Sequence, residues 1–204
     1  MPKREQIRRF IEMVGWANPT TICYLLEGKY TFTFYQRYKK EMYVMRKTKD
    51  SALRLRLIRN EDGRSAFILA SASVSLPRAN YNHDSRLRNC LAKLIHENGF
   101  FDISVKRSFY DAKAENLYFE FDSGCEDTRQ LENKIKNNYC RDGAFRVVFF
   151  MSSQYNNEKG RLEKLFEISK NVLKNKPNRI LGCCYSEFLK DGKLFNIKRE
   201  EKVL

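Results

Sequence analysis

Histidine occurs only at His83 and His96, tryptophan once, and no stretch approaches the roughly 18 consecutive apolar residues that a membrane-crossing helix needs. Two histidines are too few for a histidine-built metal centre. No glycine-rich loop of the phosphate-cradling kind is present, and there is no internal repeat or low-complexity tract. The six cysteines (Cys23, Cys90, Cys125, Cys140, Cys183 and Cys184) have no CxxC spacing, which argues against a zinc site. Adjacent Cys183 and Cys184 sit in an apolar run and read as small core residues. The first ten residues, MPKREQIRRF, carry charge where a secretory signal would be apolar. A cytoplasmic protein with reduced thiols is therefore expected.

What is plentiful is apolar surface and positive charge. Hydrophobic residues make up 42% of the chain and aromatics 13%, enough for packed cores. Lysine and arginine number 39 against 25 acids, a net charge of +14 that favours a polyanionic partner. Nucleic acid is preferred over anionic membrane, because no long basic amphipathic helix is evident.

The N-terminal third reads as three helices followed by two short strands. Ile7, Phe10, Ile11 and Val14 recur at helical spacing before Gly15. Asn18-Pro19 is a cap and first-turn signal, and Gly28 closes a short second helix. From about Thr33 to Lys47, Phe34, Tyr38, Met42 and Met45 form one stripe. Leu53, Leu55 and Leu57 then alternate with arginines, and the Asp62-Gly63 turn predicts a hairpin back through Ala66 to Ala70. Residues 1–72 are thus predicted to be a winged helix-turn-helix, and 73–83 a linker. Fifteen lysines and arginines face seven acids in residues 1–64. Such a domain places its second paired helix in the major groove, where Gln and Arg read bases and Lys and Thr hold phosphates. The groove candidates are Thr31, Thr33, Gln36, Arg37, Lys39 and Lys40, and the wing candidates are Arg54, Arg56, Arg59 and Arg64. A solvated basic face or a protein-docking module is the competing explanation.

Residues 84–188 are predicted to form an α/β sandwich with a mixed sheet, followed by a charged tail at 189–204. VVFFM and ILGCC are continuous apolar runs of the kind buried on both faces of a sheet. The overall class is α+β. Between Asp111 and Glu132 seven acids face only Lys113 and Arg129. On a strand, Glu120 and Asp122 share one side about 7 Å apart, with Asp111 just upstream. Converging carboxylates repel unless a hard cation such as Mg²⁺ lies between them, and that ion could activate water against a phosphate. Lys134 is spaced to reach the acids. An ordinary solvent-facing strand is the alternative.

Asp111 and Glu120-Phe121-Asp122, within an α-β-β-α-β order, resemble the PD-(D/E)xK nuclease superfamily. The string YFEFDSGCEDTRQLENKIKNNY, following a winged helix and linker, resembles the replication-relaxation family of plasmids and integrative elements. The resemblance rests on Glu120, Asp122, Gly124 and Glu126 before a basic helix ending in Tyr139. It implies a mobile-element DNA protein acting in replication control, DNA transfer or transcription. Where the nucleases carry a lysine two residues after the glutamate, this chain has Asp122, so cleavage would need Lys134 instead. Binding of double-stranded DNA is favoured, with the second domain as a dimerisation or partner surface. A Mg²⁺-dependent endonuclease using Asp111, Glu120, Asp122 and Lys134 is the alternative, and a docking scaffold the third.

Overall fold

The computed structural model describes residues 1–47, 52–59, 65–74, 80–105, 110–139, 146–153, 157–173, 176, 178–196 and 198–202. Among them the chain is mixed α+β, with seven α-helices and two sheets. It divides into two units, Met1–Val105 and Lys106–Leu204.

In the first unit, α1 (Lys3–Val14) buries Ile7, Phe10, Ile11 and Val14, the spacing that makes it amphipathic. Strand β1 (Trp16–Ala17) follows, then α2 (Pro19–Glu27). The Asn18 side chain caps α2 by accepting from the Thr21 amide at 2.8 Å. Gly28 ends it at φ 65°, and a Cβ there would lie 2.5 Å from the His96 ring. Helix α3 (Phe32–Arg46) buries Tyr38, Met42 and Met45. Strands β2 (Leu53–Arg59) and β3 (Ser65–Ser71) pair antiparallel, and β1 completes a sheet of order β1-β3-β2. The Asp-Gly turn expected between β2 and β3 lies outside the described residues.

Helix α4 (Tyr81–Asn98) belongs to this first unit, not to the second as the sequence pattern suggested. Its polar side chains explain why. Arg88 donates from Nε and Nη2 to the Val14 carbonyl at 3.2 and 2.8 Å, with its guanidinium 4.2 Å from the Trp16 ring centroid. Asn18 donates to the Tyr81 and Ser85 hydroxyls, the Thr21 hydroxyl donates to Asn89, and Lys93 donates to the Gly28 carbonyl. Leu87, Cys90, Leu91, Leu94 and Ile95 are buried on the same helix. The expected linker 73–83 is thereby shortened. Residues 81–83 are helical, 75–79 lie outside the described set, and Phe101–Val105 contributes an isolated bridge at Ser104.

The second unit is built on a six-stranded mixed sheet. Its strands are β4 (Ala112–Ala114), β5 (Leu117–Asp122), β6 (Arg146–Met151), β7 (Ile180–Cys184), β8 (Leu194–Asn196) and β9 (Glu201–Lys202), in that spatial order. The central β5, β6 and β7 are parallel, and β4, β8 and β9 pair antiparallel at the flanks. One sheet face is covered by α5 (Thr128–Lys134), a π-helical turn (Ile135–Tyr139) and α6 (Glu158–Val172). They enclose Leu131, Ile135, Tyr139, Val147, Phe149, Met151, Leu165, Phe166 and Ile180. On the opposite face, Phe188 and Tyr185 of α7 (Tyr185–Asp191) meet Phe150 and Phe121 at ring separations of 5.0 and 5.3 Å. The tail at 189–204 completes α7 and supplies β8 and β9. Gly192 caps α7 with a left-handed φ of 73°.

Candidate functional site

The basic face of the first unit is built on α3. Its core stripe fixes which residues meet solvent. Tyr38 donates to Glu27 of α2, which also takes Lys3 of α1 at 2.7 Å. Tyr43 packs against Phe67 of β3 at 5.8 Å between centroids. With that side held, Thr33, Arg37, Lys40 and Val44 are exposed along the opposite stripe and Gln36 is half-buried beside them. Arg54 and Arg56 are exposed on β2.

Two groove candidates are placed otherwise than expected. Thr31 is the N-cap of α3, its hydroxyl accepting from the Phe34 amide at 3.1 Å. Lys39 is half-buried with its ammonium 5.0 Å from the centre of the Phe67 ring. The Arg59 side chain and Arg64 lie outside the described residues.

Ion pairing compensates part of the surface charge. Arg4 is matched to Glu41, Lys93 to Glu97, Lys159 to Glu187, Lys164 to Glu167 and Lys193 to Glu201, while exposed Lys29, Arg129, Lys170, Lys190 and Lys198 form no ion pair among the described residues. Among the described residues, Arg37, Lys40, Arg54 and Arg56 form no ion pair. Surface pairs contribute little to stability, so the contrast bears on where positive potential remains uncompensated.

The acidic cluster of the second unit has a different character. Alternation along β5 puts Glu120 and Asp122 on one side, as expected from the strand period. That side is the one covered by α5 and α6, and both residues are buried, Glu120 to 1% exposure. Lys134 of α5 donates to Glu120 Oε2 at 2.9 Å and to Glu126 Oε1 at 3.2 Å, and the Tyr139 hydroxyl donates to Glu120 Oε1. Burial pushes the Glu120 carboxyl up to about 7, with the negative charge of Asp111 adding to the effect and Lys134 and Tyr139 opposing it. Lys134 is shifted upward: Glu120 and Glu126 outweigh the burial that acts the other way.

The structure thus brings Asp111, Glu120 and Lys134 together. Asp111 Oδ2 accepts from the Phe121 amide at 2.8 Å. Asp122 is drawn to another partner. Arg161 of α6 grips it through Nε and Nη2 at 2.7–3.0 Å, and the Gly124 amide donates to it at 2.7 Å. Neither Arg161 nor the role of Tyr139 was picked out from sequence. Arg161 lies 39 residues from Asp122, with no local signal joining them.

A Mg²⁺ ion is held by one or two carboxylates whose oxygens are free to turn toward it, with water filling the rest of its octahedral shell. Here both oxygens of Glu120 and both of Asp122 already accept hydrogen bonds, most of them from cationic side chains. Among the described residues no three His, Cys, Asp or Glu side chains are grouped to hold a metal ion. As arranged, the donor set does not fit the ion. Among the described residues, too, no helix is long and apolar enough to cross a membrane. Comparison with protein-family models, curated proteins and solved structures finds no match to the chain.

Proposed function

We propose that the chain binds double-stranded DNA through a winged helix-turn-helix formed by α1 to β3, with α3 entering the major groove and the β2–β3 hairpin as the wing. The element order supports this assignment: helix, short strand, two helices, then a hairpin whose second strand pairs with the short one. The observation that carries it is the cationic stripe of Arg37 and Lys40, with Arg54 and Arg56 on β2, none of which forms an ion pair among the described residues. By the replication-relaxation resemblance, the duplex belongs to a plasmid or integrative element, and binding serves replication control, transfer or transcription. The second unit then acts as a dimerisation or partner surface.

Fluorescence anisotropy with a duplex oligonucleotide over a salt series tests this. The wild-type chain should bind with an affinity that falls steeply as salt rises. Joint substitution of Arg37 and Lys40 by alanine should weaken binding and reduce the slope of log K against log salt by about two. No affinity at low ionic strength, or affinity indifferent to both substitutions, overturns the proposal. Nicking of supercoiled DNA with Mg²⁺, lost in Glu120→Ala, would move the assignment to an endonuclease.

A further inference from the structure

We infer that Phe32 reads the duplex by contacting the 5-methyl group of thymine in the major groove. This rests on the DNA-binding proposal and extends it to the chemistry of the bases addressed. Phe32 is 69% exposed, more than Met1, Tyr30, Val44 or Leu57, the other exposed large apolar side chains among the described residues. It is the first residue of α3, directly after the Thr31 cap, so its backbone position is fixed. The apolar residues that hold α3 to the unit lie in another phase of the helix, with Tyr38, Met42 and Met45 all buried. Phe32 instead shares its side with Gln36 one turn on and Lys40 two turns on. It is no part of the core.

A helix docked in the major groove presents its N-terminal residues to base edges, while cations further along it and on the wing meet phosphates. Phe32 occupies the first position, and Arg37 and Lys40 the later ones. The base edges in that groove offer donors and acceptors, and one methyl group, that of thymine, which apolar side chains including Phe contact. An aromatic ring left in water at this point therefore has a specific apolar counterpart on the ligand. Basic Lys29 and half-exposed Tyr30, edge-on to Tyr35 at 6.2 Å, flank it and keep the surroundings suited to the same polyanion. The surrounding charge selects nucleic acid over an apolar protein surface as the occupant.

The test compares the full chain on an alternating dA-dT duplex and on the same duplex with deoxyuridine for thymidine, which deletes only the methyl groups. Anisotropy at one salt concentration should give about fourfold tighter binding to the thymine duplex for each methyl contacted. Phe32→Ala should bind both duplexes alike, at the wild-type affinity for the uracil duplex and with an unchanged salt slope. Phe32→Leu, which keeps an apolar group, should retain part of the preference. Arg37→Ala with Lys40→Ala should weaken both duplexes and keep their ratio. Equal wild-type affinity for the two duplexes, or a preference that survives Phe32→Ala, overturns the inference while leaving the DNA-binding proposal intact. Failure to bind either duplex at low ionic strength overturns both.

Discussion

Glu120 shows how one buried side chain ties stability to pH. In the folded chain burial holds its proton up to about 7, against an ordinary value of 4.5 that the unfolded chain restores. Between those values the folded state binds more protons, so raising the pH weakens folding. Removing the ionisable group removes that dependence. The stability of wild type relative to Glu120→Gln should therefore fall between about pH 5 and pH 8, by up to about 3 kcal/mol. Urea unfolding at unit pH intervals measures it, and a flat difference would show that the carboxyl titrates as in water. Asp122 draws its compensating charge from a residue 39 positions along the chain. Its carboxylate is 5% exposed, and Arg161 is its cationic partner. Arg161→Ala should cost about 3 kcal/mol, since a buried charge loses its counter-ion. Arg161→Lys should recover only part of this, because an ammonium cannot reproduce the two-pronged grip. Equal losses in the two variants would mean that the paired hydrogen bonds set the whole cost, and not the charge or the alkyl stem that lysine keeps.

At the level of elements, what could be read from sequence was what local chemistry dictates. Asn18-Pro19 and Gly28 mark the ends of α2 because a cap, a ring-locked φ and a left-handed stop are each decided within a few residues. The alternation of Leu117 to Asp122 gave β5 and the shared side of Glu120 and Asp122 for the same reason. What could not be read was which surface each element meets. α4 has a pattern that suits either unit, and only the distant Val14 and Gly28 carbonyls and Asn18 and Thr21 explain its buried Arg88, Lys93 and Asn89. Likewise the side of β5 bearing Glu120 looked open to an ion until α5 and α6 covered it. Phe32 was legible in principle, since it falls outside the phase of Phe34, Tyr38 and Met42. The placement of α4 has a direct consequence. A fragment ending at Val105 should unfold cooperatively on heating, followed by circular dichroism. One ending at Val74 should not, because it strips Trp16 of Tyr81 and Arg88 and leaves Asn18 and Thr21 without their α4 partners. A cooperative transition in the shorter fragment would make α4 an accessory and restore the boundary that the pattern suggested.

Over the whole molecule, charge is shared unequally between the units. Residues 1–105 carry 19 lysines and arginines against 10 acids, and residues 106–204 carry 20 against 15. The second unit therefore keeps a positive excess, and part of its described cations is committed internally: Lys134 to Glu120, Arg161 to Asp122, and Lys159, Lys164 and Lys193 to surface acids, while exposed Arg129, Lys170, Lys190 and Lys198 form no ion pair among the described residues. Counter-ion release on binding DNA counts only cations that actually meet phosphates, so net charge alone overstates what the second unit can contribute. If recognition lies in the first unit, the fragment 1–105 should reproduce the salt slope of the full chain within about one unit, whereas each phosphate contact made by the second unit would lower it by about 0.9. Affinity can still differ between the two, because dimerisation through the second unit would join two heads on one duplex and tighten binding without altering the slope per head. Measuring slope and affinity together, on a duplex long enough for one head and on one long enough for two, separates these contributions. A fragment slope shallower by three or more would place a substantial part of the DNA contact on the mixed sheet and its helices, against the division of labour proposed for the two units.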